Sequence, residues 1–385
     1  MGHRDAVRAA VLWARYGIEF LRGLRHHLRQ PDETLASLPR RLWEQARLLA
    51  ARAMTADDYY LYRLHRRDLP WAAKLEFVGA RHRLRWQLAL NPREYRCFTD
   101  DKLIFKRFLV GVGIPTPRLL GVVGPHGRAE TGEPLRSAAE LGVWLAAGRA
   151  ELVVKPVNGS RSAGVLVLGG RLPDAGGPRW ARVPDGTPVG PAEIWAHLVA
   201  RPHLPHFLLE ERVRPHPELA EFSPEVVHTA RIMTVLEGEA RAIAATLRIG
   251  LGRIAVDSFG RDNIAAPVDV ATGRLQPAVS KHERGVTRHR THPVTGAAIE
   301  GRRLPDWERA VELVSRAHGS IPFNRCLGWD VAFGPDGPVV IGANDRFGIN
   351  VLQAVHDRGL LGGPLGPFLE RAGAIHLIGL PGWRR

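Results

Sequence analysis

Lysine is scarce in this chain. Only Lys74, Lys102, Lys106, Lys155 and Lys281 occur, against 49 arginines. Arginine serves wherever a plain surface cation suffices, so a retained lysine marks a place where a compact ammonium is wanted instead of a planar fork. Cysteine is scarcer still, with Cys97 and Cys326 alone. Two isolated thiols give neither a disulfide framework nor a zinc site, and they fit a reducing compartment, so the expected location is cytoplasmic. No apolar run reaches the roughly 18 residues that a membrane-spanning helix needs. The chain also lacks a Walker A loop, because GxxxxGK[ST] is absent. It has no nucleophile elbow at Ser162, where Ser160 stands in place of the first glycine.

What is present reads as an ordinary globular composition. The 385 residues are 45% hydrophobic and 24% charged, enough for a large core in two or three sub-domains. The net charge of +15 would attract anionic polymers, but it is spread along the chain with no Lys/Arg block and no nucleic-acid motif. A nucleic-acid partner is therefore not expected. Residues 5–29, 39–53 and 71–88 carry apolar residues at helical spacing, which predicts a basic helical region over 1–98. The first of these stretches is rich in arginine and poor in acid. It suits a solvated helix face first, and a peripheral membrane contact or an organellar transit segment second.

From "FTDDKLIFKRFLVGVGIPTPRLLG" onward the pattern changes to mixed α and β. Thr99, Asp100 or Asp101 can cap a helix ending near Gly111, with Lys106 expected on its solvent side or near its own acidic start. Strands are predicted near 118–123, 151–156, 164–169, 206–213, 229–237, 240–250, 326–333 and 338–343. Helices are predicted near 191–200, 305–319 and 349–356, and the Gly/Pro/Arg-rich stretches 171–190 and 277–303 read as long loops.

The stretch "ELVVKPVNGSRSAGVLVLGG" reads as strand, small-residue loop, strand. Glycines let backbone approach a ligand, and Asn and Ser add donors beside the backbone N–H groups. Lys155 at the end of the first strand adds one positive charge, an arrangement suited to a polyphosphate. A mobile surface hairpin with a chance lysine is the plainer reading of the same residues.

Taken in order, "DKLIFKRFLVGVGIPTP", "LVVKPVNGSRSAGV", "FLLEERV" and "GWDVAFGPDGPVVIGAN" resemble the ATP-grasp enzymes. The stretches "HPELAEFSPEVVHTARIMT", "AVDSFGRDNIAAPVDVATGRL" and "THPVTGAAIEGRRLPDW" are similar to the sugar-transfer-associated branch, which in turn resembles the alpha-L-glutamate ligase-like group. The likeness covers roughly residues 95 to 355. It implies an α+β fold of two lobes gripping ATP, with a small lobe over 99–213, and a large lobe with its tail over 214–385.

The resemblance also implies roles. Lys155 and Lys102 would reach the nucleotide phosphates, and Asn158, Gly159, Ser160 and Gly164 would cover them. The backbones of Glu211 and Val213 would read adenine, with Glu210 beside its exocyclic amine. Glu218 would bind the ribose hydroxyls, with Glu221 and His216 left open for that task. Arg231 and Arg248, on adjacent predicted strands, would clamp transferring phosphate or a substrate carboxylate. Asp257 and Asn263 are weaker candidates for the substrate side, where the family's "DN…GG" pattern is not kept.

Asp330 and Asn344 match the positions that hold Mg²⁺ in this family. The strand "VVIGAN" has Gly342 where the family's Glu-x-Asn puts glutamate, and Asp345 is the nearest acid that would compensate. The function implied is an ATP- and Mg²⁺-dependent ligase. It would activate a carboxylate as an acyl phosphate and pass it to an amine or hydroxyl, on small-molecule or glycan-linked substrates of polysaccharide biosynthesis. The alternative is a degenerate member that binds nucleotide without turnover. A charge-driven binder of membrane or nucleic acid, using the fold as scaffold, comes third.

Overall fold

The computed structural model describes residues 36–80, 83–148, 151–159, 162–173, 178–254, 259, 263–282 and 285–378. They form two compact units. The first holds the described residues up to Leu90, with Lys281–Thr287 and Arg346 onward; the second holds Asn91–Ser280 and Arg288–Asp345. The helix predicted over 5–29 lies outside the described residues. Among the described residues no helix is long and apolar enough to cross a membrane.

The first unit is helical. Leu38–Arg52 forms one helix, started by Pro39 and stopped by Ala53 in the left-handed region at φ 51°. The single helix predicted over 71–88 is two, Trp71–Lys74 and Arg83–Leu90. Gly79 explains the break: it crosses the end of the Leu38–Arg52 helix so closely that a Cβ would lie 2.3 Å from the Ala53 carbonyl oxygen. Leu48, Tyr59, Tyr62, Leu64 and Phe77 pack together with Ala354 from the Asn350–His356 helix. Gln353 donates to the Val78 carbonyl at 2.8 Å and accepts from the Val78 N–H at 2.9 Å. Inside this unit Lys74 is wholly buried and pairs with Glu44 at 2.7 Å, which also accepts from the Tyr59 hydroxyl at 2.6 Å.

The second unit holds most of two seven-stranded antiparallel sheets. The first comprises β1 (Leu119–Val123), β2 (Arg128–Ala129), β3 (Leu152–Pro156), β4 (Leu166–Arg171), β5 (Trp180–Arg182), β6 (Pro188–Val189) and β7 (Phe207–Glu211). Their order is β2-β1-β7-β3-β4-β5-β6. The Ala138–Ala146 and Pro191–Val199 helices bury Leu141, Trp144, Leu145, Ile194 and Leu198 against Leu152, Val154 and Leu209. Strand alternation then turns Val153, Lys155 and Glu210 to the other face.

The second sheet comprises β8 (Thr229–Glu237), β9 (Glu239–Gly250), β10 (Asn263–Val268), β11 (Ala278–His282), β12 (Gly285–His289), β13 (Cys326–Gly334) and β14 (Gly337–Asn344). Their order is β12-β11-β10-β9-β8-β13-β14. Ile232, Leu247, Ile249, Leu327, Trp329 and Val331 pack on Leu313, Val314 and Ala317 of the Trp307–Gly319 helix. Phe105 and Leu109 of the Lys102–Gly111 helix join the same core. Arg231, Thr246, Arg248 and Asp330 therefore project from the opposite face of this sheet.

Two stretches read as loops contain strands: β5 and β6 lie within 171–190, and β11 and β12 within 277–303. In the first pair, buried Trp180 and Val189 anchor short strands at the sheet edge, too short to give a periodic signal. β10, "NIAAPV", was likewise not foreseen; it is buried along its whole length but built mainly of small residues.

Candidate functional site

Three of the five lysines come together in the second unit. β3 and β7 pair antiparallel with Val153 opposite Glu210 and Lys155 opposite Leu208, which sets Lys155 and Glu210 diagonally on one face. Lys155 Nζ lies 2.8 Å from Glu210 Oε2. Lys106 Nζ lies 3.0 Å from Oε1 of the same carboxylate and also donates to Thr116 Oγ1 at 3.1 Å and to the Pro117 carbonyl. Lys106 is thus buried, contrary to its expected solvent-facing position. The Lys102–Gly111 helix sends Phe105 and Leu109 into the core of the second sheet, and this turns Lys106 onto Glu210. Its rarity in an arginine-rich chain was the signal that could have found it.

Lys102 sits one turn earlier on the same helix face. The helix start is capped by Asp101, which accepts from the N–H groups of Leu103 and Ile104 at 2.9 and 3.0 Å. Lys102 Nζ donates to the carbonyls of Gly159 at 2.9 Å and Val157 at 3.4 Å. Asn158 Nδ2 donates to the Asp100 carbonyl at 3.2 Å, so the small-residue loop is laced to the helix start. Burial, with Lys155 nearby, pushes the Lys102 ammonium down to about 8. Burial likewise pushes Lys106 down to about 8, against the pull of Glu210.

Gly164 closes the loop at φ 79°, where a side chain would be strained, and a Cβ would meet Arg201 Cδ and Pro156 Cγ at 3.1 Å. Its carbonyl lies 3.1 Å from His197 Nε2. Gly159 carries the carbonyl held by Lys102, and Ser160 lies outside the described residues.

At the end of β7 the Glu211 N–H donates to the Arg118 carbonyl at 3.0 Å, and the Glu211 side chain pairs with the Arg118 guanidinium. Glu211 also lines a groove of about 520 Å³ with Arg118, Glu151, Arg212 and Arg214. Val213 follows, half-buried. Of the three residues open for a ribose, His216 Nδ1 accepts from the Glu218 N–H at 3.3 Å and Glu221 pairs with Arg302 at 2.5 Å. The Glu218 side chain is exposed.

The second cluster is a row across four strands. Gly342 on β14 stands opposite Asp330 on β13, Asp330 opposite Arg231 on β8, and Arg231 opposite Thr246 on β9. Arg231 grips Asp330 with both arms, Nε to Oδ1 at 2.7 Å and Nη2 to Oδ2 at 3.0 Å. Arg248 Nη2 adds a contact to Oδ1 at 3.0 Å, and Asn344 Nδ2 donates to Oδ2 at 3.3 Å. Burial pushes the Asp330 carboxyl up, but Arg231, Arg248 and Asn344 together outweigh it and hold the group below the usual carboxylate range. Thr246 is fully buried and its Oγ1 finds no hydrogen-bond partner among the described residues.

The remaining candidates are placed elsewhere. Asn263 is wholly buried and accepts the Leu251 N–H at 3.2 Å, a tie between β10 and the end of β9. Asp257 and Ser258 lie outside the described residues. Asp345 is buried, with its carboxylate 3.5 Å from Arg96 Nε and its carbonyl accepting from Asn91 Nδ2 at 2.8 Å.

Mg²⁺ needs hard oxygen ligands with negative charge to spare. In the row, Asp330 supplies one carboxylate, met by two guanidiniums. Asn344 supplies one amide, and Gly342 supplies nothing. Among the described residues no group of three His, Cys, Asp or Glu side chains is placed to hold a metal ion. Among the described residues, one carboxylate already held by two guanidiniums and one amide fall short of the oxygen donors that a divalent cation needs.

The fold is one of helices on antiparallel sheets, as in the ATP-grasp class. The family model described as sugar-transfer associated ATP-grasp matches residues 81–364, and the chain belongs to that family. No curated protein matches the sequence significantly. Among solved structures, the chain is similar to D-alanyl-alanine synthetase A from Vibrio cholerae O1 biovar eltor str. N16961 at 11% identity and a TM-score of 0.42, covering 75% of this chain and 68% of that one. It is also similar to the D-alanine-D-alanine ligase from Coxiella burnetii, at 12% identity and a TM-score of 0.37, over 74% and 64% of the two chains. The D-alanine–D-alanine ligase from Bacillus anthracis matches at 14% identity and a TM-score of 0.37, over 75% and 68%. The chain thus spans about two thirds of the length of these enzymes.

Proposed function

We propose that the chain binds ATP and acts as a ligase joining a carboxylate to an amine or hydroxyl. The observation that carries this reading is the gathering of Lys102, Lys106 and Lys155 around Glu210 and the carbonyls of the small-residue loop. A chain that otherwise uses arginine keeps three compact ammoniums there, matched by one carboxylate, so the loop is poised for a polyphosphate.

In this reading Lys155 and Lys102 contact the phosphates, under a cover of Asn158, Gly159, Ser160 and Gly164. The Glu211 carbonyl and Val213 N–H read adenine, Glu210 stands near its amine while fixing the lysines, and Glu218 takes the ribose. Residues 99–213 form the nucleotide-side lobe, and the lobe from 214 onward brings Arg231 and Arg248 to the reacting phosphoryl group or the substrate carboxylate. A carboxylate oxygen attacks the γ-phosphorus, the bond to the β-bridging oxygen breaks, and ADP leaves. The acceptor's nitrogen or oxygen then attacks the acyl carbon, expels phosphate and loses its proton to solvent. Fixed guanidiniums and ammoniums stabilise the charge that develops in both steps. The family's sugar-transfer association favours a glycan precursor in the cytoplasm as the substrate class.

Gly342 favours a second reading, binding without turnover, because it leaves the end of the row beside Asp330 without the acid that the family pattern places there. Calorimetric titration of ATP, with Lys155→Ala beside the natural chain, tests the nucleotide reading. Binding that the substitution abolishes supports it, and an ATP-blind natural chain defeats it. Release of phosphate on adding candidate glycan-linked carboxylates and amines separates ligase from silent binder.

A further inference from the structure

We propose that Arg41, Gln45 and His65 form a buried site for a small oxyanion inside the helical unit, independent of the nucleotide reading. Arg41 and Gln45 sit one turn apart on the Leu38–Arg52 helix, so their side chains share a face. His65 is tied to the start of that helix, because the Ala36 N–H donates to its carbonyl at 3.0 Å. The Tyr60 ring lies 5.2 Å from the His65 ring, and Arg41 is close enough to the Tyr60 hydroxyl to offset part of the rise to about 12 that burial imposes on it. Only 7% of Arg41, 5% of Gln45 and 8% of His65 is exposed. Yet Arg41 Nε and Nη1, Gln45 Nε2 and His65 Nδ1 are shut off from solvent and have no hydrogen-bond partner among the described residues.

Three of these four atoms can only donate, and His65 Nδ1 donates in one of its two tautomers. Leaving buried donors unmet is costly, and a buried guanidinium without a counter-ion most of all. The neighbouring cations each have a carboxylate: Lys74 pairs with Glu44 at 2.7 Å, Arg66 with Asp357 at 3.1 Å and Arg63 with Asp357 at 3.7 Å. Glu44, the one acid of the helix, is taken up by Arg40, Lys74 and the Tyr59 hydroxyl. Arg41 has no carboxylate partner among the described residues. Burial, and then the charges of Arg63, Arg41, Arg66 and Lys74, hold His65 down to about 4, so the place lacks a negative charge. Arg41 also lies in the early turns of its helix, the positive end of the helix dipole. A forked guanidinium, an amide and a ring N–H suit the oxygens of phosphate, sulfate or a carboxylate better than a halide. Seated there, the anion would tie the helix to the segment carrying Tyr60 and His65.

The probe is inorganic phosphate, titrated calorimetrically in chloride-free buffer into the full chain and into Lys155→Ala, which removes a lysine of the nucleotide reading. Both chains should show saturable phosphate binding for which sulfate and acetate compete. Arg41→Leu, made in each chain and checked for folding by thermal melting, should weaken that binding by about tenfold or more, the cost of a lost hydrogen bond to a charged group. Should Arg41→Leu not fold, Gln45→Leu replaces it, with an expected loss of about fivefold. Phosphate binding that ignores the substitution at 41 or 45 overturns the proposal, and so does a Lys155→Ala chain that takes up neither phosphate, sulfate nor acetate. Chloride bound more tightly than phosphate overturns the choice of an oxyanion. Binding that Lys155→Ala abolishes while Arg41→Leu spares it places the phosphate on the nucleotide side and defeats this site alone, whereas an ATP-blind natural chain defeats the nucleotide reading and leaves this site standing.

Discussion

Lys106 and Lys155 meet on one carboxylate, Glu210, at 3.0 and 2.8 Å, one reaching it from a helix and the other from β3. The helix belongs to the core of the second sheet and the strand to the first sheet, so Glu210 is a polar joint between two hydrophobic cores.

Removing one side of this joint should be costly. Lys106→Met leaves Glu210 buried with Lys155 and leaves Thr116 and the Pro117 carbonyl without their donor. Breaking a buried pair by deleting one partner costs about 3 kcal/mol. Urea unfolding followed by tryptophan fluorescence should show that loss, and a change under about 1 kcal/mol would contradict the joint.

Lys102 should be the most reactive lysine toward acylating reagents near pH 8. Its ammonium is held down to about 8, so a large fraction is neutral amine there, unlike a lysine at its usual 10.5. Bound phosphate would restore the proton and block access. Mass spectrometry after brief acetylation should therefore find Lys102 modified early, and spared when ADP is present. Modification of all five lysines at one rate would exclude the shift.

Acid should destabilise the fold before the carboxylates titrate. Burial pushes His228 down to about 3, and His65 and His318 down to about 4. The unfolded chain takes up these protons near 6.5 while the folded chain refuses them. The stability is therefore complete above pH 6.5 and falls as pH drops toward 4, by about 1.4 kcal/mol per pH unit for each histidine. His318 is held neutral between Thr234 Oγ1 at 2.7 Å and the Asn324 carbonyl at 2.6 Å. His318→Gln should flatten its share of the slope in denaturation measured from pH 7 to 4.5, and an unchanged slope would count against it.

In the helical unit, Lys74→Met strands Glu44 in the interior and should cost about 3 kcal/mol, whereas Lys74→Met combined with Glu44→Leu should recover much of it. Thermal melting of both variants decides. A double variant less stable than the single one would mean that the Tyr59 and Arg40 contacts to Glu44 matter more than the pair.

The longer elements were legible because their patterns are long. β8 runs over the predicted 229–237, and β9, β13 and β14 differ from expectation by a residue or so at their ends. The short strands β5 and β6, the alanine-rich β10, and the break at Gly79 were not legible, because each depends on what packs against it. At the candidate site, Lys155 stood out by rarity and Arg231 by strand alternation. What no residue pattern announced was that Asp330 would be clamped by two arginines, which is set by register between strands; the rarity of Lys106 marked it out, but its inward turn is set by helix packing.

The helical unit is closed by segments from two distant stretches of the chain. Val78 is bonded to Gln353, Gln87 to the Phe347 carbonyl at 3.0 Å, and Arg66 to Asp357 at 3.1 Å. During synthesis, residues 36–90, Lys74 and Glu44 among them, are made before either sheet, yet their partners at 347–357 emerge only after both sheets have been made. The early helices must wait, with apolar faces uncovered, through most of translation. A chain cut short before residue 346 would lack the partners of Val78, Gln87 and Arg66, so the helical unit is completed only by the last part of the chain to be made.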